Sequence, residues 1–305
     1  MKIKGYNPAT LLKRTAAEIW KDNVLGLSAQ AAYSFFFSLF PILLFLTPLF
    51  NLIGNDGDII NRLLTRLSVT IPPEAYNLLR NIVRDVVMGE NAPGLASAGL
   101  LLAIFSGSAM LDTLMGALNR AYDANDQRPW WKKRLIAMAL TVGAAVALGT
   151  ATMVMFAGES IVEFIAGVFG LSGGAQAAWT IAQYPLALIL MVGFLWLLYY
   201  FLPYVDQKKT HVLAGAIFTV ALWVLITIGF RYYVANIGSY NKTYGTIGGV
   251  MILLTWMYLT MLAVLAGGEL NSELRNGTGL EIDGKPVKSP TDALRDAAIA
   301  EKARF

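Results

Sequence analysis

An all-α, polytopic membrane protein with six transmembrane helices is the fold class predicted by three features of this 305-residue chain. Hydrophobic residues make up 56% of it and charged residues only 14%, well short of the roughly 25% charge of soluble domains, which excludes an ordinary cytosolic enzyme. The apolar residues gather in blocks about 20 residues long, each able to cross a hydrocarbon core about 30 Å thick at about 1.5 Å per helical residue. Lipid offers no water to satisfy backbone groups, so such blocks must be helices. Finally, the basic residues outside the blocks are strongly biased toward one side, 18 against 6.

The N-terminal arm comes first. Leu11, Leu12, Ile19 and Trp20 read as one helical face opposite Lys13, Arg14 and Lys21, which predicts an in-plane helix on the cytoplasmic leaflet. Span one follows at 29–53. Its length exceeds a signal-peptide core, and it ends in Asn51, Leu52, Ile53 and Gly54 without a small-residue cleavage site, so it is expected to stay in the membrane. Pro41 within it removes a backbone donor and predicts a helix kink.

The segment to span two is too long for a turn. Ile59, Ile60, Leu63, Leu64 and Leu67 recur at helical spacing, Pro72 and Pro73 interrupt, and Leu78, Leu79, Ile82, Val83, Val86 and Val87 resume. This predicts an outer amphipathic helical hairpin over 57–89, with mixed charge on its polar faces that suits a cap over the bundle mouth. Span two is expected at 95–117 and span three at 135–157. The loop from Gly158 to Trp179 carries Glu159 and Glu163 and no lysine or arginine, which suits a short interfacial helix on the outer side. Spans four, five and six follow at 181–202, 212–230 and 247–266, the last either continuous with Tyr244-Gly245 or broken at Thr246 to Gly249. Residues 1–275 thus read as one six-helix domain, and 276–305 as a polar cytoplasmic tail expected to be disordered.

Orientation follows from charge. Of the 24 basic residues, 18 fall in the N-terminal arm, the loops after spans two and four, and the tail; the other six are Arg62, Arg66, Arg80, Arg84, Arg231 and Lys242. The positive-inside rule then places both termini in the cytoplasm. It also accounts for a pI near 9.1 without nucleic acid as a partner. Trp20, Trp130, Trp131, Tyr199, Tyr200 and Tyr204 fall at the inner boundaries, where interfacial anchoring is expected.

Nineteen of the 20 acidic residues lie outside the spans, and the exception is Asp112. A carboxylate there is costly and is expected to face the bundle interior or a wet cavity. Ser108 and Gly116, four residues to either side of it, and Asn119 at i+7 make a polar stripe on its face, Gln30, Ser34 and Ser38 form a matching stripe on span one, and span six ends inward in Gly267, Gly268, Glu269, Leu270 and Asn271. Asp112, Glu269, Gln30, Ser34, Ser38, Asn119 and Asn271 are the candidates for substrate binding or proton coupling, and a structural network pinning helix ends is the competing reading. Small-residue ladders at Gly99, Ala103 and Gly107 and at Ala139, Gly143, Ala147 and Ala151 read as packing seams.

No enzymatic signature is present. The chain has no cysteine and one histidine, His211, which excludes thiolate and histidine-rich metal centres. It lacks the P-loop, the zincin motif and the nucleophile elbow. His211, beside Lys208 and Lys209, reads as a solvated interfacial residue. No catalytic residue, metal or cofactor is expected.

The residues resemble the YihY/BrkB family of bacterial inner-membrane proteins. The resemblance runs from about Trp20 to Arg275. It rests on Ala31-Ala32-Tyr33-Ser34-Phe35 through Ser38-Leu39-Phe40-Pro41, Asn119-Arg120-Ala121-Tyr122-Asp123 with Arg128-Pro129-Trp130, Leu202-Pro203, Gly215-Ala216, Tyr244-Gly245, Leu254-Thr255-Trp256-Met257-Tyr258 and Gly268-Glu269-Leu270-Asn271. The family's usual Gly-Ala-Glu is here Gly267-Gly268-Glu269. The resemblance implies a six-helix, multi-pass protein of the bacterial inner membrane without an agreed activity, in a family linked to serum resistance and lipid export and long labelled a ribonuclease. The label conflicts with the residues, since a tRNA nuclease needs metal ligands or a nucleophile and base on a soluble surface. Two readings remain: a transporter or flippase-like protein for an envelope lipid or other amphiphile, and a non-catalytic scaffold for envelope biogenesis. Membrane lipids are the expected partners, with a homo-oligomer or an envelope protein as further alternatives.

Overall fold

Helix ends follow the chain's local capping chemistry. The computed structural model describes residues 8–53, 76–78, 80–81, 96–147, 175–207, 209–236, 240–277, 281–282 and 285–286. Helix α1 (Pro8–Lys21) opens on a proline, whose missing N–H costs nothing in a first turn. It closes at Asn23, in the left-handed region at φ 53°, where asparagine is among the few side chains tolerated. Helix α2 (Val24–Ile53) starts directly beyond that corner. Helix α3 (Ala96–Ala121) ends in a Schellman motif, with the Asp123 N–H on the Arg120 carbonyl at 3.0 Å, the Ala124 N–H on the Asn119 carbonyl at 2.8 Å, and Asp123 itself at φ 49°.

Helix α4 (residues 130–147) begins directly after Pro129. Helices α5 (Ala175–Phe201), α6 (Lys209–Asn236) and α7 (Tyr240–Gly277) complete the helical part. Helices α2, α3, α5, α6 and α7 cover the apolar stretches predicted for spans one, two, four, five and six to within one residue at their ends. By length and composition, Lys209–Asn236 and Ile247–Arg275 can cross a membrane, and Val24–Leu39 and Pro185–Phe201 are shorter apolar stretches. Among the described residues the fold is all-helical apart from a ribbon of two residues per strand, Glu281–Ile282 against Lys285–Pro286, within the stretch expected to be disordered.

Helix α7 organises the rest. At 38 residues it is about 57 Å long, nearly twice the hydrocarbon thickness, so its C-terminal turns project past the stretch expected as span six. It runs unbroken through Thr246 to Gly249, which settles the two alternatives there in favour of continuity. α1, α2, α3 and α6 all pack on it, and α2 packs most extensively on α3. The main core joins Leu114, Met115 and Leu118 of α3, Leu198 and Tyr199 of α5, Val212 and Ala216 of α6 and Leu265 of α7. A second cluster sets Ala31 and Ala32 of α2 against Leu253, Met257 and Met261 of α7. The outside is apolar as well, with Leu102, Phe105, Val146, Ile189, Ile217, Leu225 and Ile228 all exposed, as a hydrocarbon-facing surface requires and a water-facing one does not.

The face expected on α1 divides. Leu11 is buried on Leu270 and Leu274 of α7 and Ile19 is half-buried against the main core, whereas Leu12 and Trp20 are exposed. Apolar residues spread over half of this helix face two different media, protein and surroundings, and hydropathy does not separate them. Most of the outer hairpin and the loop from Gly158 to Gly174 lie outside the described residues; helical turns are present at 76–78 and 80–81.

Candidate functional site

Polar residues concentrate where α5, α6 and α7 come together. Tyr199 of α5 is fully buried; its hydroxyl donates to the Val264 carbonyl at 2.5 Å and shares a hydrogen bond of 2.6 Å with Thr219 of α6. Gly267 of α7 makes this crossing feasible, because a Cβ there would overlap Thr219 Oγ1, the Tyr199 hydroxyl and the Gly215 carbonyl. One turn further on, Asn271 reaches from α7 to α6: its Oδ1 accepts from the Gly215 N–H at 2.8 Å and its Nδ2 donates to the Val212 carbonyl at 3.3 Å. That amide is fully employed in holding two helices.

Glu269 lies between these ties and differs from them. It is 1% exposed, and its Oε1 has no hydrogen-bond partner among the described residues. The Tyr122 hydroxyl, at the end of α3, is also buried without a partner by strict geometry, although Asn271, Tyr199, Glu269 and Arg275 all influence it. Burial pushes that hydroxyl well above the ordinary tyrosine range. An unsatisfied buried carboxyl oxygen costs a protein stability, so a carboxyl kept in this state invites a functional explanation. The charged groups acting most strongly on Glu269 are Asp22, Glu18, Glu273 and Asp123, all acidic. At the α1–α2 corner, burial pushes Asp22 above the usual carboxylate range; Lys21 opposes the shift, Asp123 and Glu18 add to it, and Arg120 opposes it again.

A second knot closes the same end of the bundle. Asp126 accepts from Arg128 Nε and Nη2, both at 2.8 Å, from the Arg128 N–H at 3.0 Å and from Asn119 Nδ2 at 3.0 Å. Arg128 in turn donates to the Leu202 carbonyl at 2.7 Å and the Phe201 carbonyl at 3.4 Å, capping α5, and lies 5.3 Å from the centre of the Tyr204 ring. Asn119 Oδ1 accepts the Tyr204 N–H at 2.7 Å. Burial alone would push Asp126 up, but the hydrogen bonds from the Arg128 side chain and backbone, with the charges of Arg128 and Lys133, hold it down at about 2.

Of the residues singled out from sequence, Glu269 and Asn271 share one buried layer, and Asn119 belongs to the Asp126 knot. Asp112 is half-buried on α3 and makes no hydrogen bond or ion pair to another described residue. Ser34 shares a 3.2 Å hydrogen bond with Thr113, next to Asp112, and Ser38 donates to the Phe35 carbonyl of its own helix at 2.7 Å. Gln30 is exposed on α2, away from the buried layer. α2 continues as one helix through Pro41, whose side chain lies outside the described set. No described contact joins Asp112 to Glu269. Two expectations change: Tyr199, expected as an interfacial anchor, is a buried tie, and His211, expected to be solvated, is 3% exposed. Trp20, Trp130 and Trp131 do stay exposed. The residues missed from sequence, Tyr122, Tyr199, Thr219 and Asp126, look ordinary there; the available signal was the Gly267-Gly268 doublet beside a carboxylate. Among the described residues no group of three or more His, Cys, Asp and Glu could hold a metal ion.

The two glycines predict different tolerances. A Cβ on Gly268 would meet Leu118 Cδ2 at 2.5 Å, the far end of a flexible side chain. Gly268→Ala is therefore expected to leave the melting temperature in detergent nearly unchanged, because a gain of about 1 kcal/mol in helix propensity offsets the repacking. A large loss of stability would show that Leu118 cannot yield.

Comparison with known proteins places this architecture. The family model "Virulence factor BrkB" matches residues 15–291. A Bacillus subtilis protein, YfkH, whose name calls it ribonuclease-like, is 28% identical over 247 residues, covering 81% of this chain and 88% of its own length. A UPF0761 membrane protein of Tolumonas auensis is 24% identical over 268 residues, covering 84% of this chain and 82% of its own. One from Neisseria meningitidis serogroup B is 23% identical, and the match spans 60% of that longer protein. No solved structure matches. With the match running from within α1 to beyond α7, the chain belongs to the BrkB family of membrane proteins.

Proposed function

We propose that this protein is a multi-pass protein of the bacterial inner membrane, with six spans and both termini cytoplasmic, that moves an envelope lipid or another amphiphile as a transporter or flippase-like protein. The buried layer around Glu269 is its polar uptake point on the inner side. The observation that carries the reading is the Glu269 carboxyl, 1% exposed and with one oxygen unpartnered among the described residues. A scaffold needs only ties such as Asn271 and Arg128; it gains nothing from an unsatisfied carboxyl.

Reconstitution into liposomes with labelled lipids tests this. Movement should exceed that of protein-free vesicles, and Glu269→Gln should slow it by about tenfold, equivalent to about 1.4 kcal/mol of barrier. No movement across lipid classes, together with a stoichiometric protein partner and harmless Asp112→Asn and Glu269→Gln variants, would favour the scaffold. A ribonuclease role predicts cleavage of precursor tRNA by purified protein with divalent metal; none is expected. The absence of cysteine makes the topology directly testable: Gly5→Cys and Ser289→Cys should be labelled only from the cytoplasmic side and Asn91→Cys only from the outer side. The reverse labelling would overturn the orientation.

A further inference from the structure

The acids around Glu269 come from separate elements: Glu18 from α1, Asp22 from the corner after it, Asp123 from the end of α3, and Glu273 from one turn further along α7. The bases of this region act on the outer members of the group. Lys21 is bonded to Glu18 at 2.6 Å on the surface, Lys21 and Arg120 act on Asp22, Arg14 and Lys21 act on Glu273, and Arg275 acts on Tyr122. α5 contributes only the Tyr199 hydroxyl, already engaged with Thr219 and Val264, and α6 carries His211, next to the Val212 whose carbonyl Asn271 holds. Glu269, the most deeply buried of these carboxyls, makes no ion pair with a base among the described residues.

Such a site calls for positive charge, and its size limits which kind. One unpartnered oxygen, Glu269 Oε1, falls far short of the six or more ligands a hard metal cation takes. Glu269 is 1% exposed, so a bulky organic cation, like a lipid headgroup, meets this layer at its mouth and not at the carboxyl. A proton needs only one oxygen. We propose that Glu269 is a proton-binding site filled from the cytoplasmic side through the ring of Glu18, Asp22, Asp123 and Glu273, and that the proton it carries couples amphiphile movement to the pH gradient. In the step itself, a hydronium ion at the mouth gives its proton to the Glu269 carboxylate and becomes water. Release returns the proton to water. No other bond changes. The coupling, though not the proton site, rests on the transporter reading above.

The test uses the full-length protein in lipid nanodiscs, with glutamate isotopically labelled, and infrared difference spectra recorded as the medium is acidified. The wild-type protein should show a protonated-carboxyl band that Glu269→Gln lacks, a loss of about one proton per chain. Glu269→Asp should keep a protonated-carboxyl band but lose its isotope shift, because only glutamate is labelled. A band undiminished in Glu269→Gln overturns the proposal; should that variant fail to fold, an isotope-shifted band that persists in Glu269→Asp overturns it instead. In proteoliposomes, a pH gradient should change wild-type lipid movement about tenfold and leave Glu269→Gln unaffected. Lipid movement that ignores both gradient and substitution overturns the coupling and leaves the transporter reading standing. A proton band without any lipid movement does the opposite.

Discussion

Replacing Asp126 by alanine should lower the stability of the detergent-solubilised protein by about 3–5 kcal/mol, because it strands a buried guanidinium. The Arg128 and Asp126 side chains are 6% and 8% exposed, so neither can turn to water without undoing the loop. The loss does not stop at the ion pair. Asn119 Nδ2 also gives up its acceptor, and the arginine that caps the Phe201 and Leu202 carbonyls is no longer held in place. Thermal unfolding followed by tryptophan fluorescence measures the effect. Adding Arg128→Met to Asp126→Ala should recover part of the loss, since an apolar side chain removes the stranded charge but leaves the two carbonyls uncapped. Acid provides an independent check. The folded carboxyl sits at about 2, below the ordinary value near 3.9 for a free aspartate, so its contribution is fully present above pH ~4 and is lost as the pH falls toward 2. Asp126→Asn should remove that component of the acid transition. An unaltered acid transition, or a stability loss below about 1 kcal/mol in Asp126→Ala, would mean that the knot is loose.

The helices were legible because hydrophobic length is a property of the chain alone. The stretches predicted for spans one, two, four, five and six recur as helices because every residue of such a block answers the same solvent constraint. What the sequence hides is which side of a helix meets protein and which meets lipid, as both are apolar. Leu11 and Leu12 are adjacent and alike, yet one is 4% exposed and the other 50%. Aromatic and imidazole groups mislead for a related reason. Tyr199 and His211 stand where interfacial residues normally stand, and only the neighbouring helices, brought close by glycine, decide that they are covered. Glu269 was legible as a candidate from its place at the end of an apolar block. Its setting was not, because Asp22, Glu18 and Asp123 are nearly 150 residues or more distant in sequence and arrive only through packing on α7. Asn119 and Asn271 were legible as polar residues near a helix end, but the structure engages both the donor and the acceptor of each amide within the fold.

Gly267→Ala should destabilise the protein by about 3–5 kcal/mol, combining overpacking of the α6–α7 seam with loss of a buried hydrogen bond. A methyl group at this position overlaps three groups at once: the Thr219 hydroxyl, the Tyr199 hydroxyl and the Gly215 carbonyl. The two side chains could rotate away only by abandoning the Tyr199 bond to Val264, and the backbone carbonyl cannot rotate at all. Adding Thr219→Ala should therefore return part of the loss by removing one overlapped oxygen, and the remainder should persist because of Gly215. A double-mutant cycle over Gly267 and Thr219 measures that coupling, and Gly268→Ala, whose Cβ meets only the yielding end of Leu118, serves as the neighbouring control. The seam also sets the height of Glu269 relative to α6, since Asn271 holds the Gly215 N–H two residues past Glu269. Spreading α6 from α7 by even a fraction of a methyl diameter would pull that amide bond apart and let water reach the carboxyl. If Gly267→Ala folds at lower temperature, the infrared signature assigned to Glu269 should then broaden and shift toward that of a hydrated acid, whereas in Gly268→Ala it should stay where it is in the wild-type protein. A Gly267→Ala protein as stable as wild type, with an unshifted signature, would show that the seam is wide enough to spare and that the placement of Glu269 is set elsewhere.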